Sequence, residues 1–430
     1  MGADTASGCG KVLMIVENLP VPRDRRVWQE ACALRDAGWG VSVICPAAGG
    51  CPPGHQTIDG IAVWRHPLPR EGEGLVGYLR EYGAALFWEF ALAWRVLASR
   101  GFDVIHACNP PETIFLVGAA FKLLGKKFLF DHHDLSPELY EAKFGRRGML
   151  HRLLLGLERL TYRTADVAIV TNESFRQVAI ERGRMAPDRV FVVRSGPDFS
   201  RLRTLAPDPA LKRGARYLIA YVGVMNSQDG VEYVLEAMRH IVVDRGRADV
   251  RAVLMGDGPR LEALKEMAGA LGVAGQVEFT GWADDDVLMP MLGAADVCVS
   301  PDPVNGFNDK CTMNKILEYM ALSKPVVMFD LTEGRRSAGE AALYARDNDA
   351  RDLAEKILGL LADADLRGRM GEIGRQRMER SLSWEHQIPR LLAAYAAIAG
   401  NGEPAHRPLA ASDPPPSADP FPPQGGGGAE

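Results

Sequence analysis

Short runs of apolar, often β-branched residues alternate with helix-length segments along nearly the whole chain, and this alternation constrains the fold more than any other feature. One series of strand-like runs lies at residues 11–16, 41–45, 103–108, 127–131, 166–171 and 190–193. A second series lies at residues 217–223, 250–256, 277–281, 296–300 and 325–329. Strands that alternate with helices form parallel sheets with crossover helices. The sequence therefore predicts an α/β protein with two doubly wound, Rossmann-like domains.

The boundaries of these domains follow from the segments that lack a periodic apolar pattern. Residues 199–214 contain prolines and no such pattern, so we predict a linker between a first domain at 11–198 and a second at 215–383. Residues 401–430 are rich in Pro, Gly and Ala, which predicts a disordered tail. Two parallel sheets of this kind bind ligands at the carboxyl ends of their strands. We therefore expect the functional site in a cleft between the two domains.

The composition is that of a globular chain without a nucleic-acid partner. The 430 residues are 47% hydrophobic and 24% charged, with a formal net charge of −5, whereas a general nucleic-acid binder needs an excess of basic residues. The seven cysteines form no CxxC pair and no zinc-ligand spacing, so we expect free thiols in a reducing cytosol. No basic region precedes the first apolar run, and charged residues interrupt the apolar stretch at 82–96. We therefore expect neither a signal peptide nor a membrane span.

A candidate phosphate site lies in the segment 307–327. Lys310 and Lys315 fall near the start of a predicted helix, where the positive end of the helix dipole disfavours a lysine unless an anion compensates it. Glu318, three residues after Lys315, is suited to accept hydrogen bonds from sugar or ribose hydroxyls. The alternative is a surface salt bridge between Lys315 and Glu318, with both lysines in solvent.

Two glycine-containing turns follow strands of the second domain. Gly256 and Gly258 lie between a strand and an amphipathic helix, and Gly223 and Asn226 lie in a turn with the same layout. Exposed backbone amides in such turns can approach a phosphate or a sugar, which makes these residues candidates for donor binding. The alternative is that the glycines only allow the chain to turn.

The first domain offers His133 and Glu138 directly after a predicted strand. A histidine in this position can donate a hydrogen bond to a sugar hydroxyl or to a developing charge, or it can bond to a nearby backbone carbonyl. Residues 132–134 could also be read as metal ligands, but adjacent residues rarely face one ion, so we expect no metal. We interpret the three aspartates at 284–286 as helix-capping residues. Arg25 and Arg26, at the first turn of the chain, are candidates to face an anionic acceptor, and Glu138 is a candidate for a further acceptor contact.

A basic amphipathic helix is predicted over residues 143–163, because six Lys and Arg residues alternate there with leucines. It could rest on an anionic membrane surface or pack as an ordinary helix with a solvated arginine face. Aromatic residues between 82 and 94 resemble an interfacial belt and favour the membrane interpretation.

These motifs together resemble a family 4 glycosyltransferase of the GT-B fold, and the resemblance extends from residue 11 to about residue 398. The sequences that carry it are GDGP at 256–259, VEFTGW at 277–282, AADVCVSP at 294–301, KILEYMALSKPVV at 315–327 and SWEHQIPRLLAAYAAI at 383–398. Within this family, the sequence most resembles bacterial enzymes that build O-antigen, capsule or exopolysaccharide. The resemblance implies a retaining transfer from a nucleotide diphosphate sugar without a metal, and a helix at 384–400 that returns to the first domain.

Residue by residue, the resemblance assigns His133 to the histidine near the donor sugar and Glu318 to the second glutamate of the family's paired-glutamate motif. The first glutamate of that pair falls at Lys310. The arginine and lysine that usually contact the diphosphate fall at Val224 and Asp229. Their replacements would be Lys310, Lys315 and Arg335 or Arg336.

The sequence therefore predicts a hexosyl- or N-acetylhexosaminyltransferase without a cofactor, with a saccharide or lipid-linked acceptor, in the cytoplasm or at the inner face of the membrane. A nucleotide-sugar epimerase of the same fold and a non-catalytic nucleotide-sugar-binding protein remain open as alternatives. A dehydrogenase is disfavoured because neither domain's first turn carries GxGxxG.

Overall fold

The computed structural model describes residues 9–48, 50–67, 74–197, 199, 201–202 and 205–400, with the backbone alone at 74–79 and 81. These residues form two compact units, one containing the chain up to Ser195 and from Gln387 onward, the other containing Gly196–His386. The predicted tail at 401–430 lies outside the described residues. Among the described residues, no helix combines the length and the hydrophobicity that a transmembrane span requires.

The first unit is built on an eight-stranded sheet in the order β3-β4-β2-β1-β5-β6-β7-β8. Its strands are β1 (Lys11–Ile15), β2 (Gly40–Ala47), β3 (Gly54–Ile58), β4 (Ile61–Pro67), β5 (Val104–Cys108), β6 (Lys127–His132), β7 (Val167–Val170) and β8 (Val190–Val192). Its helices include α1 (Arg25–Asp36), α2 (Gly74–Ser99), α3 (Phe115–Lys122), α4 (Ser136–Phe144), α5 (Met149–Thr164) and α6 (Glu173–Gln177). All pairings are parallel except β3 with β4.

The second unit is built on a six-stranded parallel sheet in the order β11-β10-β9-β12-β13-β14. Its strands are β9 (Tyr217–Val222), β10 (Val250–Met255), β11 (Val277–Gly281), β12 (Val297–Ser300), β13 (Val326–Phe329) and β14 (Ala342–Ala345). Its helices are α7 (Val231–Arg239), α8 (Leu261–Ala270), α9 (Asp285–Ala294), α10 (Asn314–Ala321), α11 (Thr332–Ala338), α12 (Ala350–Ala362) and α13 (Ala364–Arg377), and α14 (Trp384–Ala399) follows. The α/β prediction with two doubly wound sheets is confirmed.

Helix α1 shows how neighbouring residues determine local structure. Its N-cap residue Asp24 accepts a hydrogen bond from the backbone of Val27, and Val27, Ala31 and Leu34 form its buried face. Strands such as β1 are apolar along almost their whole length because both faces of a parallel sheet are covered by helices.

Strands β3 and β4 were not predicted from the pattern of apolar runs. They form a hairpin whose turn contains Asp59 and Gly60, both with positive φ, at 47° and 81°. Asp-Gly is a strong signal for this type of turn, so the hairpin could have been recognised from the sequence.

The prediction of a single amphipathic helix over residues 143–163 is wrong. Helix α4 ends at Phe144, the left-handed Gly145 with φ of 64° terminates it, and α5 begins only at Met149. The basic residues of this segment are therefore divided between the end of α4, a short connection and α5.

Helix α14 packs in the first unit. The hydroxyl of Tyr395 lies 2.9 Å from Nδ1 of His106, and its ring lies edge-on to Trp39 with 4.9 Å between centroids.

The order of the strands reverses at one point in each sheet. In the second unit β9 lies between β10 and β12, and in the first unit β1 lies between β2 and β5. Crevices beyond the carboxyl ends of strands form at such positions. The loops that follow β9, β10 and β12 therefore meet at one edge of the second sheet.

Candidate functional site

Lys315 provides a buried positive charge at this edge of the second sheet. Its Nζ lies 2.8 Å from Oδ1 of Asp302 and 4.0 Å from Oδ1 of Asp229, and it lies 4.9 Å from the ring centroid of Tyr221. Burial opposes the charge, but Asp302, Tyr221 and Asp229 outweigh it and raise the pKa of Lys315. Burial also raises the pKa of Asp229 to about 6. The lysine is therefore protonated at neutral pH and fixed by its partners.

Glu318 is held by an arginine that the sequence analysis missed. Nη1 of Arg201 lies 3.0 Å from Oε1 of Glu318, and Nε and Nη2 of the same guanidinium bind the two oxygens of Asp285 at 2.6 and 2.5 Å. Lys315 pairs with Asp302 and Glu318 pairs with Arg201, so the alternative prediction of a salt bridge between Lys315 and Glu318 is wrong. The segment 199–214, predicted as a linker, therefore contributes a side chain that orients Glu318.

The glycine turns after β9 and β10 pack backbone to backbone. A Cβ on Gly256 would lie 1.8 Å from the carbonyl oxygen of Gly223, and one on Gly258 would lie 2.5 Å from that of Met225. The side chain of Asn226 accepts a hydrogen bond from the next backbone amide, within its own turn. Close packing of the two turns is a structural reason for these glycines. Their contact with a donor remains a prediction.

The other predicted diphosphate contacts are Lys310, Arg335 and Arg336, and each of them contacts groups of its own unit. Lys310 belongs to the 3₁₀ turn Asn308–Lys310, ahead of α10, and its Nζ contacts the carbonyl of Gly306 at 3.2 Å. Of the two lysines expected at the start of the helix, only Lys315 lies on α10. Arg335, on α11, binds Asp330 through two nitrogens at 2.7 and 2.6 Å and lies over the ring of Tyr344. Arg336 pairs with Glu333 at 2.5 Å.

His133 follows β6 in the first unit and is anchored at its backbone and its ring. Its amide donates to Oδ1 of Asn109 at 3.0 Å, and its Nδ1 lies 3.3 Å from Oδ2 of Asp131. Burial opposes a charge on the ring, but Asp131 outweighs it and raises the pKa of His133 to about 9. The imidazole is therefore protonated at neutral pH.

Arg26 and Glu138 are bound inside the first unit. The guanidinium of Arg26 is buried and binds both oxygens of Asp131, at 3.0 and 2.7 Å, as well as acceptors on Val193 and Ser195.

The carboxylate of Glu138 receives two hydrogen bonds from Arg182, at 2.7 and 3.1 Å. The charges of Arg26 and Glu138 are therefore paired with Asp131 and Arg182 and are not open to an acceptor, although we had expected them to be. Arg25, at the start of α1, is exposed, and its predicted acceptor contact stays a prediction.

One group of potential metal ligands occurs among the described residues. A ring nitrogen of His106, Sγ of Cys108 and a carboxylate oxygen of Asp131 lie within 4.8 Å of one another. The guanidinium of Arg26 already binds both oxygens of Asp131 and supplies the positive charge at this position. The donor set therefore does not fit a metal ion.

Comparison with known proteins assigns both units to described families. The family described as "Glycosyl transferases group 1" matches residues 216–363, and the family described as "Glycosyl transferase 4-like domain" matches residues 24–196.

The alignments with curated relatives differ in extent. The chain is 29% identical over 159 residues to alpha-D-kanosaminyltransferase of Streptomyces kanamyceticus, which aligns 36% of this chain and 39% of that protein. It is 36% identical over 138 residues to the lipopolysaccharide core biosynthesis glycosyltransferase LpsE of Rhizobium meliloti, which aligns 31% of this chain and 37% of the relative. These two alignments thus span well under half of each relative's length. The phosphatidyl-myo-inositol mannosyltransferase of Mycolicibacterium smegmatis is 26% identical over 385 residues, covering 87% of this chain and 90% of that protein.

Solved structures share the fold at low sequence identity. Sucrose-phosphate synthase of Thermosynechococcus elongatus has a TM-score of 0.70 at 19% identity and covers 91% of this chain and 99% of its own. Anabaena HepE in complex with UDP and glucose has a TM-score of 0.65 at 16% identity, covering 91% of this chain and 98% of its own. The fold is that of the GT-B glycosyltransferases.

Proposed function

The chain belongs to the GT4-type glycosyltransferases, and from this premise we propose that it is a retaining enzyme that moves a sugar from a nucleoside diphosphate sugar to a saccharide or lipid-linked acceptor. The transferred group is a hexosyl or N-acetylhexosaminyl group. The observation that carries the proposal is the buried, protonated Lys315 in the first turn of α10, at the carboxyl end of the second sheet. A fixed cation at a helix N-terminus is suited to hold a diphosphate.

The reaction breaks the bond between the anomeric carbon and the diphosphate oxygen. Negative charge develops on the departing diphosphate and positive charge on the sugar. The acceptor hydroxyl oxygen then forms the new bond on the face that the diphosphate leaves, so the anomeric configuration is retained. Its proton goes to the diphosphate oxygen, and the products are a glycoside and a nucleoside diphosphate. Lys315 stabilises the leaving group chiefly by preorganised electrostatics.

We propose the remaining roles for side chains of each unit. His133 donates a hydrogen bond to the sugar, and Glu318 accepts hydrogen bonds from the ribose hydroxyls. Gly223, Asn226, Gly256, Gly258, Lys310 and Arg335 are proposed as further donor contacts. The reaction needs no metal, because Lys315 supplies the positive charge that a cation would otherwise bring to the diphosphate.

A role in cell-envelope or exopolysaccharide synthesis is supported by the relatives' names. One is a lipopolysaccharide core glycosyltransferase and another is a phosphatidyl-myo-inositol mannosyltransferase. Solved structures of the same fold were determined with UDP and with UDP-glucose, which makes UDP the first nucleotide to test.

Peripheral contact with an anionic membrane is proposed for the surface formed by residues 143–163. Its exposed apolar side chains include Phe144, Met149 and Leu153, at 59%, 87% and 54% exposure. The arginines of the same surface are exposed as well: Arg146, Arg147, Arg152, Arg159 and Arg163. Basic residues around exposed apolar side chains attract anionic lipid and insert into its headgroup region.

Co-sedimentation with phosphatidylcholine vesicles, with and without phosphatidylglycerol, tests this contact. We expect binding only with phosphatidylglycerol and its loss in the Leu153→Ser/Leu160→Ser variant. Val243→Ser, which changes an exposed apolar residue of the second unit, serves as the control. If the double variant binds as well as the control, the membrane proposal is wrong.

Product analysis tests the central proposal against its two alternatives. The purified protein is incubated with UDP-glucose, GDP-mannose or UDP-N-acetylglucosamine and a panel of saccharide and lipid-linked acceptors. Nucleoside diphosphate released only with an acceptor supports transfer. An interconverted nucleotide sugar indicates an epimerase, and donor binding without turnover across the panel indicates a non-catalytic binding protein.

Thermal shift with UDP and GDP gives a readout that needs no acceptor, since a ligand at 100 times its Kd stabilises by ~2.7 kcal/mol. Lys315→Met should lose the shift, while Lys265→Met, on the exposed side of α8, should keep it. A chain whose melting temperature responds to neither nucleotide would overturn the nucleotide site.

A further inference from the structure

Asp131 joins two charged side chains that the chain brings together from α1 and from the end of β6. Its Oδ1 accepts from Nη2 of Arg26 at 2.7 Å, and its Oδ2 accepts from Nε at 3.0 Å. The same Oδ2 lies 3.3 Å from Nδ1 of His133. Both Asp131 and Arg26 are buried, so solvent screens this arrangement little.

The backbone at His133 is fixed by a second buried side chain. Oδ1 of Asn109 accepts from the amide of His133, while its Nδ2 donates to the carbonyl of Asp134 at 2.6 Å and to Oε1 of Glu112 at 3.1 Å. The peptide that carries the imidazole therefore has little freedom to rotate.

The two ring nitrogens of His133 differ in their surroundings. Nδ1 faces Asp131, an ionised group that can only accept hydrogen bonds, so Nδ1 carries a hydrogen. Nε2 takes part in no hydrogen bond with the described residues, and the side chain is 12% exposed. Nε2 is thus the ring atom left for a ligand.

We infer that Arg26 and Asp131 act together as positioning residues for His133, fixing Nδ1–H inward and turning Nε2–H toward an oxygen of the sugar donor. Arg26 keeps Asp131 ionised and correctly oriented, and Asp131 in turn orients the imidazole. This inference rests on the proposed function for the identity of the ligand. It rests on the geometry alone for the orientation of the ring.

The charges around the site are consistent with this arrangement. Burial opposes ionisation of Asp131, but Arg26 and His133 outweigh it and hold the pKa of that carboxyl well below its usual range. Titratable groups from α1, from β5 and the connection after it, and from β6 with its following turn also act on or around the ring: Arg26, Glu30, His106, Glu112, Asp131, His132 and Asp134. Among them Asp131 is the carboxylate that approaches a ring nitrogen of His133 within hydrogen-bond distance.

Nuclear magnetic resonance of histidine-labelled full-length chain tests the orientation without any turnover. The nine histidines are labelled with ¹⁵N, and His133→Gln assigns the signal of His133. We expect the wild-type ring to keep its proton up to a pH of about 9, and the Asp131→Asn ring to titrate near the ordinary histidine pKa of ~6.5. Asp166→Asn, which removes a carboxylate that accepts from the start of β6, should leave the titration unchanged. An unshifted midpoint in Asp131→Asn would overturn the inference.

Steady-state kinetics then test the consequence for transfer. Asp131→Asn should lower kcat ~10–10²-fold with little change in donor KM, and its activity should fall at a lower pH than that of wild type. The kcat of Arg26→Lys should lie between those of wild type and Asp131→Asn, because a lysine cannot bind the carboxylate through two nitrogens. If Asp131→Asn does not fold, the double variant Arg26→Gln/Asp131→Asn takes its place in these measurements. The double variant also removes the buried charge of Arg26, which Asp131→Asn leaves unpaired.

The two failures are distinguishable. A shifted titration without any glycosyl transfer leaves the positioning pair standing and refutes the proposed function. Glycosyl transfer with an unchanged His133 titration and an unchanged pH profile in Asp131→Asn supports the proposed function and refutes the positioning pair.

Discussion

The carboxylate of Glu318 accepts a hydrogen bond from Arg201, with 3.0 Å between Oε1 and Nη1, although the two residues are 117 positions apart in the chain. Asp285, at the start of α9, holds the other side of the guanidinium. The orientation of Glu318 therefore depends on an arginine outside its own helix.

Removing Arg201 should weaken donor binding if Glu318 contacts the ribose. In Arg201→Gln the carboxylate loses a charged hydrogen bond, which contributes ~1.5–3 kcal/mol, so we expect the donor KM to rise by roughly tenfold or more. Asp285→Asn keeps the arginine beside Glu318 and should change KM less. Equal effects of both variants would indicate that Arg201 acts only through the packing of its loop.

The charge of Lys315 can be separated from its structural role. Lys315→Met should lower turnover by ~10²-fold through loss of a contact to the diphosphate. It should also destabilise the fold by ~3–5 kcal/mol, because Asp302 is left buried and unpaired.

The Lys315→Met/Asp302→Asn variant should recover much of this stability in denaturant unfolding without recovering turnover. Recovery of both would contradict a direct role of the lysine charge.

The buried Glu30 should make the protein less stable as the pH rises. Burial raises the pKa of Glu30 to about 8, against ~4.3 for an unfolded chain, so the folded state holds a proton that the unfolded state releases between these values. Stability from this group is present below the lower value and is lost as the pH rises toward 8.

The Tm of Glu30→Gln should therefore fall less than that of wild type between pH 5 and pH 8.5, while the exposed Glu262→Gln should follow wild type. A constant difference between Glu30→Gln and wild type at both pH values would count against this assignment.

Two glycine substitutions should have opposite effects. Gly256→Ala puts a Cβ 1.8 Å from the carbonyl oxygen of Gly223 at a φ of 147°, so we expect a loss of at least ~1–3 kcal/mol in the free energy of unfolding. Gly269→Ala lies in α8 with open space around the new methyl and should gain ~0.5–1 kcal/mol. Denaturant unfolding of both variants measures this, and a neutral Gly256→Ala would show that the two turns can separate.

Removal of divalent metal should leave turnover unchanged. Arg26 already occupies both carboxylate oxygens of Asp131, the acidic member of the one candidate ligand group among the described residues. Turnover is measured after exhaustive treatment with EDTA. A loss of activity that added Mg²⁺ or Mn²⁺ restores would show that the enzyme uses a metal.

Local patterns predicted much of the fold because secondary structure follows from neighbouring residues. The apolar runs located most strands of the two sheets. The pattern did not separate α4 from α5, because basic residues continue on both sides of the left-handed Gly145. Strand β14 was missed because its sequence, ALYA, contains no β-branched residue.

The lysine of the candidate site was found in the sequence because its position at a helix start is a local property. The sequence did not reveal three ion pairs: Lys315 with Asp302, Arg201 with Glu318, and Arg26 with Asp131. These pairs join residues from different elements, and a buried charge takes whichever opposite charge the packed strands and helices bring within reach. Composition and periodicity are sums over neighbours along the chain, whereas the choice of an ion-pair partner depends on distances in space that exist only after the sheets have formed.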